Sequence, residues 1–260
     1  MTVQQIFDLL QELAPFELQE EWDNSGLLVG SFTPEIDAVL FALDATLPVI
    51  QEAERKGAGL IVTHHPLMFS PLKRVTEDDY EGRLIRRLIR SDLSLIAAHT
   101  NLDRASGGTN DTLAALMGLT HVTGEGFLRA GDLPEPLSAA DFANLLRERL
   151  GDAVRLMGPE TALIHRVGLC TGAGGSEWEQ AAALGCDAFV SGEIKHHLAL
   201  AMADSGIVAL ECGHFATEQP GIFALADALQ NRLNPLQCNL RIFKSESEAY
   251  AFPPRPGAGG

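Results

Sequence analysis

Three short stretches concentrate the residue types that bind metal ions and move protons: Thr63-His64-His65-Pro66, His99-Thr100-Asn101-Leu102-Asp103 and His214-Phe215-Ala216-Thr217-Glu218. Imidazole nitrogens mixed with carboxylate oxygens suit Zn, Mn, Fe, Co or Ni alike. His64 and His65 close an apolar run, Leu60-Ile61-Val62. Neighbouring side chains on a strand point to opposite faces. The pair therefore reads as one ligand for each of two ions, placed where the strand frays into a loop. His214 and Glu218 are four apart, which on a helix puts both on one face. A plain surface Glu near a helix N-terminus has the same spacing and suits the macrodipole. The company of His64, His65 and Asp103 tips this reading toward ligands. Asp103 supplies the carboxylate charge that a hydrolytic ion wants, in what should be a loop. His99 reads equally as a group that orients Asp103 or a water and as a buried, hydrogen-bonded histidine.

Further groups lie near these. Ser191-Gly192-Glu193 ends a strand-like run, so Glu193 is a candidate general base or a group that steers a substrate amine. Its bland alternative is a first-turn Glu of the next helix. Thr171-Gly172-Ala173-Gly174-Gly175-Ser176 connects a strand to a helix. It lacks the spacing of a dinucleotide or P-loop motif, so a tight turn is favoured over an anion cradle. Cys212 alternates with Val208 and Leu210 and reads as a small buried hydrophobe. His196 and His197 read as surface residues, and His121 and His165 receive no role.

The elements that must position these groups follow from periodicity. Thr2 and Gln5 have capping-box spacing, and Ile6, Leu9, Leu10 and Leu13 recur at helical intervals up to Pro15. Ala38 to Leu43 reads as a strand that meets Asp44. Thr46 with Pro48 begins a helix that Gly57 caps. Leu60 to Thr63 is a strand and Tyr80 to Arg90 a helix, with Leu84, Ile85, Leu88 and Ile89 on one face. Leu93 to Ala98 is a strand and Thr109 to Met117 a helix. This alternation predicts βαβ units and a mainly parallel sheet, whose ligands bind past the carboxyl ends of the strands. Asp44, His64, His65, His99 and Asp103 all fall at or just past such ends.

Gly124 to Pro136, rich in Gly, Pro and acids, reads as a connection between lobes. Ser138 to Asp141 then opens an amphipathic helix that ends at Gly151. Strands are expected at Val154 to Met157, Val167 to Cys170, Ala188 to Ser191 and Val208 to Cys212. Helices are expected at Ser176 to Leu184, His197 to Ala203 and Glu218 to Leu229. The predicted class is α/β, in two lobes. Residues 1–123 with 214–250 form the first and 124–213 the second, and the Pro/Gly-rich 251–260 form a disordered tail.

Composition narrows the function. The 260 residues are 46% hydrophobic and 21% charged, as in an ordinary globule. A formal charge of −16 argues against a nucleic-acid surface, which needs clustered Lys and Arg. An anionic substrate stays compatible, because bound divalent cations would dominate the local field. No C-x-x-C, basic-then-apolar leader or long apolar run is visible, which predicts a reduced, cytoplasmic protein without a membrane span.

Taken in order, Trp22 to Gly30, Thr63 to Pro66, His99 to Asp103, Ser191 to Glu193 and Gly213 to Glu218 carry a family likeness. The chain resembles the GTP cyclohydrolase I type 2 homologues, the NGG-interacting-factor-three-like dinuclear-metal proteins, from Met1 to Phe243. The resemblance implies two divalent metal ions per subunit at the junction of two α/β lobes, and a ring-shaped homohexamer. Carried over residue by residue, it implies His64, His65, Asp103, His214 and Glu218 as metal ligands, with Glu218 bridging.

Two functions fit. One is a metal-dependent hydrolase, since paired ions deliver hydroxide at neutral pH and polarise an electrophile, with Glu193 or His99 moving protons. Opening the imidazole ring of a purine nucleotide and cleaving a phosphoester are reactions of this type. The other is a non-catalytic metal-binding scaffold, metal-trafficking or regulatory protein with the same ligand set.

Overall fold

A computed structural model describes residues 1–151, 154–236 and 238–248. The tail expected over 251–260 lies outside the described residues. These residues divide into two compact units: one runs Met1–Gly108 and resumes at Ile222, the other is Thr109–Gly221.

The first unit opens with α1 (Val3–Leu13), where Thr2 and Gln5 form the expected capping box. It continues through β1 (Gly26–Val29), β2 (Ala38–Ala42), α2 (Leu47–Lys56), β3 (Leu60–Thr63), α3 (Tyr80–Arg90), β4 (Ser94–Ala97) and the short α4 (Thr100–Arg104). Gly57 ends α2 in the left-handed conformation, at φ 66°. Strands β2, β3 and β4 are buried along their whole length. That explains why they are apolar but for Thr63 and Ser94 at their ends, since a central parallel strand has no solvent face. Val49, Ile50 and Ala53 of α2 and Leu84, Ile85 and Leu88 of α3 pack with this sheet in one core. Ile89, expected on the same face, is 59% exposed. It falls at the far edge of the apolar stripe, past the part that faces the sheet.

The second unit contains α5 (Thr109–Met117), β5 (Thr120–Thr123), β6 (Arg129–Ser138), α6 (Ala139–Leu150), β7 (Arg155–Met157) and β8 (Leu163–Cys170). Then come a 3-10 turn at Gly174–Glu177, α7 (Trp178–Ala183), β9 (Ala188–Ser191), α8 (His196–Asp204), β10 (Val208–Glu211) and the start of α9 (His214–Leu233). A last strand, β11 (Arg241–Lys244), belongs to the first sheet. The first sheet has the order β1-β4-β3-β2-β11 and is mainly parallel, with β1 antiparallel to β4. The second has the order β5-β6-β8-β9-β10-β7, and only β8, β9 and β10 run parallel to one another. Phe142 and Leu146 cover one face of it, and Trp178, Ala181 and Met202 the other.

Two sequence expectations need correction. The stretch Gly124 to Pro136 is not a connection: Arg129–Ser138 is β6, paired on both sides with β5 and β8. Its register with β8 breaks between Asp132 and Leu137, and Pro134 and Pro136 sit in that break, where no ladder hydrogen bond is lost. Asp103, expected in a loop, lies in α4. Among the described residues, no helix is long and apolar enough to cross a membrane.

Candidate metal centre

The first unit builds its cluster from strand register. Ala42 pairs with Thr63, and Thr63 with Ala97, so β2, β3 and β4 end level. Backbone bonds prolong the ladder past the strands: His64 N–H donates to Ala42 O, His65 N–H to Leu43 O, and Ala98 N–H to Thr63 O. Asp44, His64, His65 and His99 therefore emerge along one sheet edge, as the parallel topology requires. The His64 and His65 rings stand 5.1 Å apart, and His99 lies 5.1 Å from His64 and 5.7 Å from His65. One ligand atom from each of these three residues falls within 4.8 Å of the others, close enough to hold a metal ion.

Each ring is held by its Nδ1. His64 Nδ1 lies 2.8 Å from Ala98 O, His65 Nδ1 2.8 Å from Asp44 Oδ1, and His99 Nδ1 2.8 Å from Asp23 Oδ1. A carbonyl or carboxylate only accepts, so the proton sits on Nδ1 and the Nε2 lone pair is presented. Partners of this kind are what metal-bound histidines use. His64 Nε2 stands 3.4 Å from Asp103 Oδ1.

The second unit repeats the construction. Cys170 and Glu211 both pair with Ser191, so β8, β9 and β10 also end level. Glu193 N–H donates to Gly172 O, Cys212 N–H to Ser191 O, and Gly213 N–H to Gly192 O, extending the ladder to the start of α9. That helix begins at His214, earlier than the expected Glu218, and so places His214 and Glu218 one turn apart on one face. His214 Nδ1 lies 2.8 Å from Glu193 Oε1, and its Nε2 lies 2.9 Å from Glu218 Oε2. The Glu218 side chain is 6% exposed.

The donor chemistry fits a metal. With Nδ1 protonated, His214 Nε2 and Glu218 are two acceptors facing each other, the carboxylate buried and the imidazole half-buried. Such a pair needs a cation between or upon it, whether a proton or a divalent ion. His64 with Asp103 poses the same requirement. Carboxylates add the charge that divalent ions demand.

Glu193 stands at the end of β9, where an acid/base group was expected, and it also orients His214. Asn24 Nδ2 donates to Met68 O at 2.6 Å. The turn at Gly172 is tight, as expected, and has a specific reason to be glycine: its φ is +58°, and a Cβ there would overlap Glu218 Oε1. Cys212 is fully buried in an apolar core. Burial also pushes the Cys186 thiol up to about 11, against partial lowering by Arg166, so it is no thiolate nucleophile.

Asp23 is the residue that sequence reading missed. It lies in the loop before β1 with no periodic signal, and only its distant partner His99 reveals its role. Besides His99, its carboxylate accepts from Thr100 N–H at 3.0 Å and Ser25 Oγ–H at 3.1 Å.

The comparisons with known proteins agree with this architecture. Residues 1–250 match the Duf34/NIF3 (NGG1p interacting factor 3) family. A Clostridium perfringens protein named GTP cyclohydrolase 1 type 2 homolog is 34% identical, with 90% of this chain and 93% of that protein covered. A Helicobacter pylori protein named GTP cyclohydrolase 1 type 2 is 30% identical, covering 90% of this chain and 98% of its own length. The crystal structure of the Staphylococcus aureus protein SA1388 superposes with a TM-score of 0.92 at 29% identity, covering 97% of this chain and 98% of that one.

Proposed function

Since the chain belongs to the Duf34/NIF3 family, we propose that it is a dinuclear divalent-metal hydrolase acting on a nucleotide-like substrate. The observation that carries this reading is the shared state of four histidines. His64, His65, His99 and His214 each have Nδ1 at 2.8 Å from an oxygen acceptor, so each offers Nε2. A protein that uses histidines only for packing has no reason to fix four tautomers alike.

In this reading His64, His65, Asp103, His214 and Glu218 hold two ions per subunit, with Glu218 shared. The ions would supply Lewis acidity and make water acidic enough to be a nucleophile near neutral pH. His99 keeps one proton on Nδ1 against Asp23 and exchanges another at Nε2 with the substrate or a water. Glu193 holds His214 in the ligating tautomer and stands ready as a second acid/base group. The name of the Helicobacter pylori relative favours a purine nucleotide and hydrolytic opening of its imidazole ring; phosphoester cleavage would use the same parts. We further propose a cytoplasmic homohexamer.

Metal analysis of the purified chain, followed by a nucleotide and phosphoester panel with each divalent ion restored, tests the reading. Hydrolysis that returns with one ion is the expected result. Two tightly bound ions with no turnover on any substrate would favour a non-catalytic metal-binding scaffold. Sedimentation of dilute protein tests the hexamer, and a clean monomer would refute it.

A further inference from the structure

Two large aromatic side chains of the first unit stand in solvent beside its histidine cluster. Trp22 is 57% exposed and Phe69 is 52% exposed. Leaving an indole in water forgoes a large burial gain, so its position calls for a reason. The two rings lie 5.7 Å apart, centroid to centroid, at 49°. Both also approach His99, at 6.3 Å and 76° for Trp22 and 6.2 Å and 77° for Phe69.

The segments that carry these rings are anchored. Trp22 directly precedes Asp23, whose buried carboxylate is held by His99, Thr100 and Ser25. Asn24 Nδ2 donates to Met68 O, joining the Trp22 loop to the residue before Phe69. The aromatic faces are thus held ready beside His99, with little ordering cost left for binding.

We propose that Trp22 and Phe69 form a stacking platform for the planar heteroaromatic ring of the substrate, a purine-type base whose reacting atoms lie at the His64–His65–His99 cluster. The proposal rests on the nucleotide-like substrate argued above and adds the part of the site that recognises the ring. Every base has a π-face, so such a platform selects a class of ligand through stacking, without a hydrogen-bond code. Stacking adds affinity through the ring itself, beyond any attraction between the phosphate and bound divalent cations.

The test needs no turnover. Trp22 is one of two tryptophans, and the other, Trp178, is buried at 7% exposure. Intrinsic fluorescence therefore reports stacking on the exposed indole. Zinc-loaded full-length protein is titrated with guanosine monophosphate and, separately, with ribose 5-phosphate. The expected result is a saturable quench with the nucleotide and none with the sugar phosphate. Phe69→Leu should weaken nucleotide affinity about tenfold. Trp22→Leu should abolish the quench and weaken calorimetric binding by a similar factor, with bound zinc unchanged in both variants. The platform is overturned if guanosine monophosphate fails to quench, if ribose 5-phosphate binds as tightly, or if both variants bind the nucleotide like the parent. A change in sedimenting mass in either variant would also overturn it, because the rings would then belong to a subunit contact. Phosphoester hydrolysis that persists after any of these failures leaves the hydrolase reading standing alone. A saturable quench without hydrolysis of any substrate keeps the platform and removes the hydrolase.

Discussion

Asp23 and His99, 76 residues apart in the chain, meet at 2.8 Å between Asp23 Oδ1 and His99 Nδ1. The Asp23 side chain is fully buried. Burial alone would raise its pKa. Hydrogen bonds from His99, Thr100 and Asn24 N–H outweigh burial and hold the carboxyl well below the usual carboxylate range. Asp23→Asn leaves one oxygen for donors that two oxygens now serve, and turns an amide N–H toward the rest. A loss of about 3 kcal/mol in stability is expected. Nitrogen NMR should show mixed His99 tautomers in place of a single Nδ1–H form. A folded variant that keeps the single form would show that Asp23 does not set the tautomer.

Glu193 holds His214 in the same way. Glu193→Gln keeps an acceptor but loses the charge that strengthens the imidazole as a ligand. Metal affinity is expected to fall about 10- to 100-fold, the usual cost of losing such a partner. Competition with a chelator of known affinity measures it; unchanged affinity would leave Glu193 with the acid/base role alone.

Gly172→Ala combines two faults, a side chain at φ +58° and a Cβ that overlaps Glu218 Oε1. The backbone strain costs about 1–2 kcal/mol. Glu218 must also shift, so metal content should fall along with Tm. A variant with lowered Tm and full metal content would show that Glu218 tolerates displacement and does not bind metal tightly.

The proposed sharing of Glu218 predicts an asymmetry between two carboxylates. One carboxylate has an oxygen for each of two ions, whereas a histidine nitrogen serves one. Glu218→Gln should therefore lower the occupancy of both ions together, and Asp103→Asn mainly of one. Metal counting at equilibrium decides it. Two tight ions in Glu218→Gln and none in Asp103→Asn would make Asp103 the shared ligand.

Glu52 gives a pH signature away from the centre. Burial raises its pKa, but the bonds from Lys56, Ser245, Ser247 and Glu246 N–H overcome this and lower it from 4.5 to about 2. The folded pKa lies below the unfolded one. Its contribution is therefore complete above pH 4.5 and disappears as pH falls toward about 2. The shift corresponds to at most about 3 kcal/mol. The Tm gap between the parent chain and Glu52→Gln should be widest near neutrality and narrow steadily in acid. A gap independent of pH would remove this linkage.

The sequence by itself determined the elements that carry strong local signals. Thr2 with Gln5 announced α1, the Leu60 to Thr63 run ended where β3 ends, and Tyr80 to Arg90 is α3 to the residue. Alternation of such elements implied a mainly parallel first sheet, and that topology already drew attention to His64, His65 and His99 at its carboxyl edge. These features are legible because period, caps and strand ends are encoded within a few neighbouring residues. Tertiary structure alone decided the rest. Pro134 and Pro136 made β6 look like a linker until its partners revealed a register break that accommodates them. The start of α9 at His214, the fit of Gly172 against Glu218 and the bond from His99 to Asp23 also emerged only in the fold. The contacts to Glu218 and Asp23 join residues more than 40 positions apart. No local pattern encodes such a contact, because the pairing arises only when packed strands bring their ends level.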